Sequence, residues 1–109
     1  MWEKKGLIYK FDKYGTGYAQ DPFVDKISDK VWRVYFSART QDVISLPFCV
    51  DVEANNPSNI LKTYDEPLFL PGRDGTFDDT GITMTSIVNV GDEKYIYYCG
   101  WNKKVTVSY

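Results

Sequence analysis

Asp21, set directly before Pro22, and the adjacent pair Asp78-Asp79 are the carboxylates whose settings best suit chemistry in this 109-residue chain. Histidine is absent, which removes the commonest general base and the commonest metal ligand. Any reaction must rest on carboxylates, Tyr, Lys or Cys. Asp21 can serve as a catalytic or ligand-binding carboxylate, or as a turn residue, since Asp before Pro often starts a turn. Asp78 and Asp79 can bind hydroxyls or a cation. Alternatively, Asp79 accepts backbone N–H groups and stiffens its Gly-flanked loop. Sequence neighbours in a strand point to opposite faces, so the two are not expected to share one ligand. Arg39 and Trp101 form a second pair of interest. Each stands just beyond an aromatic strand, where Trp can stack on a flat apolar ring face and Arg can donate to hydroxyls, or where both simply close the end of a sheet. Asn102 reads as a turn residue beside Trp101.

The elements that must position these residues are strands. No stretch carries apolar residues at i, i+3, i+4 and i+7 over three turns. Short apolar or alternating runs bounded by Gly, Pro, Asn and Asp recur instead. They predict strands at 7–9, 18–25, 31–37, 44–52, 67–70, 82–90, 94–99 and 105–109. Pro47 suggests an edge or a bulge, and residues 55–59 suggest a turn followed by a helical turn. Trp32, Val34 and Phe36 share one strand face, and Arg33, Tyr35 and Ser37 the other. Tyr95 and Tyr97 share a face and read as packing between sheets. Aromatics make up 17% of the chain, which suits half-buried pleated surfaces.

Composition excludes several roles. Net charge is −2 with both signs intermixed, so no basic stripe is present to neutralise phosphates and nucleic acid is not an expected partner. No apolar run approaches the ~20 residues of a membrane span, and the first residues lack a signal-peptide core. Cys49 and Cys99 are too few for a disulfide framework and are expected to be reduced and partly buried. The expectation is a cytoplasmic protein without cofactor or metal.

The stretch Arg33-Val34-Tyr35-Phe36-Ser37-Ala38-Arg39 echoes Tyr95-Ile96-Tyr97-Tyr98-Cys99-Gly100-Trp101 at a spacing of 62 residues. Each follows an apolar strand and a polar turn carrying Asp and Lys. The echo predicts a repeated four-stranded unit. One domain, 1–109, would hold a first unit over about 1–60 and a second over about 61–109.

With Ala19-Gln20-Asp21-Pro22, Gly75-Thr76-Phe77-Asp78-Asp79-Thr80-Gly81 and Tyr97-Tyr98-Cys99-Gly100-Trp101-Asn102 before Val105-Thr106-Val107, the chain resembles the opening part of five-bladed β-propeller glycosidases, the arabinanase/invertase-like superfamily. It is most similar in flavour to glycosidase-like proteins found among polysaccharide biosynthesis genes. The resemblance implies an all-β fold of antiparallel sheets, about two propeller-like blades of three to four strands each. It places Asp21 where the first blade supplies a base or nucleophile, and Asp78 and Asp79 at the inner strand of the second. Asp21 and Asp79 are then the catalytic candidates, with Asp78, Arg39, Trp101 and Asn102 as substrate-binding candidates. The family's remaining acids lie further along than this chain extends, whereas glycoside hydrolysis needs two carboxyl groups roughly 5–10 Å apart. Two blades alone would also leave open faces that invite pairing. The expected role is therefore a self-associating binding or structural module with a weak carbohydrate site, ahead of a glycoside hydrolase or glycosyl-transferring enzyme completed by oligomerisation.

Overall fold

The computed structural model describes residues 1–104. Those residues form six strands and no helix: β1 (Ala19–Lys26), β2 (Val31–Arg39), β3 (Ser45–Glu53), β4 (Asn56–Thr63), β5 (Gly81–Val90) and β6 (Glu93–Trp101). β1 to β4 make an antiparallel meander, each strand pairing with the next. β5 and β6 form an antiparallel hairpin closed by Gly91-Asp92. Gly91 takes φ 58° there, as a two-residue hairpin loop requires of its first residue. The hairpin joins the meander through one parallel pair, Ser45 with Gly81.

The all-β, largely antiparallel class expected from the alternating runs is present. β2 and β3 are buried on both faces, which explains their dense apolar sequence. On one face Val34, Phe36, Leu46, Phe48 and Val50 form a cluster covered by Ile8, Tyr9, Phe11 and Tyr14 of the N-terminal segment. Phe11 packs its ring 4.7 Å from that of Phe48 and 5.2 Å from that of Phe36. On the other face Tyr35 and Cys49 meet Ile82 and Met84 of β5, flanked by Ile96 and Tyr98 of β6. Full burial of one such side chain is worth about 2–3 kcal/mol, so each covering layer is held mainly by apolar contact.

Several local expectations differ from the structure. Residues 7–9 and 67–70 are irregular rather than strands. The first lies as a strap over the Phe36–Phe48 cluster, and the second is tied to β3 where Leu68 N–H donates to Pro47 O at 2.9 Å. That bond also explains Pro47. The strand is central, but Pro47 faces a gap between the β4 and β5 pairings on its far side, where no N–H is needed. The expected turn over 55–59 and the helical turn after it are instead β4. Its turn is only Ala54-Asn55, and Pro57 fits because β4 is an edge strand with an irregular register to β3.

Tyr95 and Tyr97 do not pack between sheets. They are 49% and 58% exposed, on the outward face of the hairpin, while Ile96 and Tyr98 point inward. A register shift between Met84 and Ser86 lets Thr85 be absorbed without disturbing the inward set. The strand expected at 105–109 lies outside the described residues.

Candidate functional site

The sheet brings most of the sequence-predicted residues to one end. Arg39 closes β2 opposite Ser45, Ser45 pairs with Gly81, and Gly81 pairs with Trp101. The two echoed positions, Arg39 and Trp101, thus end one continuous row across four strands. Gly81 makes that row possible. Its φ is 148°, and a Cβ there would lie 2.7 Å from the Ser45 backbone nitrogen, so only glycine allows the hairpin to pair this close to β3. Arg39 and Trp101 border a cleft of about 170 Å³ together with Ser45, Thr80, Asn102 and Lys103.

Each side chain around the cleft is fixed differently. The Trp101 indole N–H donates to Thr83 Oγ1 at 2.7 Å, which pins the ring and leaves its face as the part able to meet a ligand. Asn102 spends both ends of its amide locally: Nδ2 donates to Thr76 O at 2.8 Å, and Oδ1 accepts from Lys104 N at 2.8 Å. It therefore acts as the turn residue its sequence setting suggested. The Arg39 guanidinium lies over the Tyr18 ring at 5.6 Å. No ion pair among the described residues engages it.

Asp78 and Asp79 are occupied by their own loop. Asp78 is 6% exposed. It accepts from Gly72 N at 3.1 Å, Thr76 Oγ1 at 3.0 Å and Tyr98 Oη at 3.1 Å. Burial, together with the bond to Asp78, raises the Tyr98 phenol above its ordinary range. Asp79 accepts from Gly75 N at 2.8 Å and Thr80 Oγ1 at 2.9 Å. Those two bonds, the Gly75 one first, hold its carboxyl below the usual range, helped by the charges of Lys104 and Lys103. The loop-stiffening alternative for Asp79 matches this geometry.

Asp21 differs from both. It sits in the irregular stretch of β1 between Gln20 and Phe23, exposed, with φ 54°. Asp tolerates the left-handed region better than most residues, yet such positions cost energy and concentrate at functional places. No ion pair among the described residues engages its carboxylate. β1 is not hydrogen-bonded to β5 as a sheet neighbour but faces it across the layers, where Asn89 bonds Asp25. Asp79 lies in the loop before β5 and is bonded within that loop.

The opposite end of the molecule holds a polar network that strand alternation alone did not single out. Arg33 donates to Asp51 through Nε at 2.8 Å and Nη2 at 3.1 Å, and also to Tyr64 Oη at 2.9 Å. Tyr64 Oη donates onward to Asp51 Oδ2 at 2.8 Å. Burial works against the Asp51 charge, but the bonds from Arg33 and Tyr64 outweigh it and lower the carboxyl. Asp25, 4% exposed, accepts from Lys94 at 2.6 Å and Asn89 at 3.0 Å across the layers. Its carboxyl is likewise lowered: burial opposes, and Lys94 and Asn89 prevail. Burial pushes the Cys49 thiol up to about 11, so it is protonated at neutral pH. Both cysteines are free. The available signal was a set of polar residues, Arg33, Asp51 and Asp25, on strands otherwise rich in apolar side chains.

Among the described residues no three acidic or Cys side chains gather where they could hold a metal, and no helix is long and apolar enough to cross a membrane. No family model matches the chain, and no solved structure matches it significantly. The chain is 36% identical over 110 residues to two uncharacterized proteins of Mycobacterium tuberculosis, one from strain CDC 1551 / Oshkosh and one from strain ATCC 25618 / H37Rv. The similarity covers 97% of this chain and 36% of each relative. The chain thus spans about a third of the length of these curated relatives.

Proposed function

We propose that this chain is a carbohydrate-binding module related to the propeller glycosidases, which works in assembly with further sheets, those of a second copy first among them. One observation carries the reading. Arg39 and Trp101, 62 residues apart in sequence, border a single cleft. An aromatic face beside a rigid donor fork suits a sugar ring, whose C–H face is apolar and whose rim carries hydroxyls. The strand order β1-β2-β3-β4 also agrees with one four-stranded propeller blade, and β5–β6 with the start of a second.

Self-association draws support from the hairpin's outward face. Val88, Val90, Tyr95 and Tyr97 are 45% to 58% exposed there, and Val88 pairs directly with Tyr95. In a closed propeller the corresponding face is covered by the neighbouring blade. Titration calorimetry against a panel of oligosaccharides tests the binding role. Saturable heat that vanishes in Trp101→Ala is expected, and a folded wild type that binds none of the panel contradicts it. Sedimentation velocity tests assembly, with a dimer or larger species at micromolar concentration expected and its dissociation in Tyr97→Lys. A compact monomer throughout contradicts the assembly.

A second reading, a glycoside hydrolase or glycosyl-transferring enzyme completed by oligomerisation, has Asp21 in its favour: an exposed carboxylate in a left-handed bulge. Its partner acid would come from another chain, since Asp79 is engaged within its loop. Aryl-glycoside turnover abolished by Asp21→Asn supports the enzyme; absence of turnover favours the module.

A further inference from the structure

We infer that the Arg39–Trp101 cleft selects sugars bearing an oxyanion, a carboxylate or a phosphate ester, over neutral ones. This rests on the carbohydrate reading above and names its ligand class. Two cations, Arg39 and Lys103, border the cleft, and among the described residues no carboxylate does. Asp79, in the preceding loop, is held by Gly75 and Thr80, and Asp42 lines the adjoining cleft rather than this one. Arg39 therefore presents a guanidinium steadied by the Tyr18 ring and unpaired among the described residues. A planar fork of N–H donors matches an oxyanion in two-point contact better than it matches separate hydroxyls. Positive charge in a concave, partly desolvated place also raises the local concentration of anions.

The hydroxyl inventory agrees. Ser45 Oγ is buried and donates to Ile82 O at 2.9 Å. Thr80 Oγ1 donates to Asp79 Oδ1 and accepts from Lys103 N at 3.2 Å. Asn102 has both amide ends engaged. The cleft thus has few uncommitted groups for reading neutral hydroxyls, and its free polar capacity is cationic. Val43 forms part of the rim with φ 63°, an outlier for a β-branched residue. Thr40 imposes it: Thr40 O accepts from Val43 N at 3.0 Å, and Thr40 Oγ1 accepts from Ile44 N at 3.2 Å. That turn fixes the rim immediately after Arg39.

The test is a matched titration of the full chain at low and at physiological salt. One arm uses oligouronates of gluco, galacto and manno configuration, each against its carboxyl-reduced form. The other arm uses hexose phosphates against the parent hexoses. The expected result is binding of at least one acidic member tighter than its neutral counterpart by tenfold or more at low salt. The ratio should shrink with added salt and fall to about one in Arg39→Gln, while Arg39→Lys keeps part of it. The arm in which the preference occurs tells carboxylate from phosphate. Equal binding of acidic and neutral forms by the wild type overturns the anion preference and leaves the carbohydrate reading standing. Binding of no member in either arm, by protein shown to be folded by circular dichroism, overturns both.

Discussion

Arg33 and Arg39 stand on one face of the same strand, β2, near its opposite ends, in opposite electrostatic settings. Arg33 is locked by Asp51 and Tyr64, its guanidinium pushed above even its usual high range, first by the bond to Asp51. Arg39 rests on an aromatic ring with no acid paired to it among the described residues. The carboxylates follow the same division. Asp25 and Asp51 are buried and paired across strands, whereas Asp21 is exposed in a bulge. Identical side-chain chemistry serves cohesion at one end and leaves charge available at the other. What separates the two is whether a partner of opposite sign lies within reach.

The largest expected effect breaks the cohesive end. Asp51→Ala leaves Arg33 and Tyr64 without their acceptor in a largely buried place, which should cost about 3 kcal/mol, read as a lowered urea midpoint. Next comes the junction of the meander and the hairpin. Gly81→Ala forces a Cβ against the Ser45 backbone and should cost about 2 kcal/mol. Lys94→Met leaves buried Asp25 with Asn89 alone. Because Lys94 is 44% exposed, solvent screens the pair and the loss should be near 1 kcal/mol. At the other extreme, Arg39→Gln should shift the midpoint by less than about 1 kcal/mol. A stability loss from Arg39→Gln equal to that from Asp51→Ala would erase the contrast.

Acidity sharpens the same comparison. Asp25 and Asp51 titrate lower in the folded chain than in the unfolded one. Their stabilisation is therefore fully present above the unfolded carboxyl value of about 4 and lost as pH falls through their folded values. Denaturation midpoints measured from pH 7 down to pH 3 should fall for the wild type. The decline should be shallower in Asp51→Asn, whose amide has no proton to gain.

The strand regions around residues 18–25, 31–37, 44–52, 82–90 and 94–99 were legible because alternation and turn residues mark them directly. β4 was not, because Asn56, Pro57 and Asn59 are turn formers held extended by pairing with β3. The strap over 7–14 carries Leu7, Ile8 and Phe11 like a strand but packs by rings without a ladder. Tyr95 and Tyr97 show the limit of alternation: it gives which residues share a face, not which face is covered. At the candidate site, the matched positions of Arg39 and Trp101 could be read from the echo. The loop-stiffening reading of Asp79 and the turn reading of Asn102 could be made as well. The burial of Asp78 against Gly72, Thr76 and Tyr98 could not, since it depends on the loop closing on β6.

The most direct test of the division between a cohesive and a ligand-facing end is amide and indole chemical-shift mapping by ¹⁵N NMR during titration with a saccharide the protein binds. The account predicts perturbations concentrated at Arg39, Ser45, Thr80, Gly81 and the Trp101 indole, with Arg33, Asp51 and Lys94 unmoved. Shifts centred on the Arg33–Asp51 end, with the Trp101 indole unchanged, would contradict it.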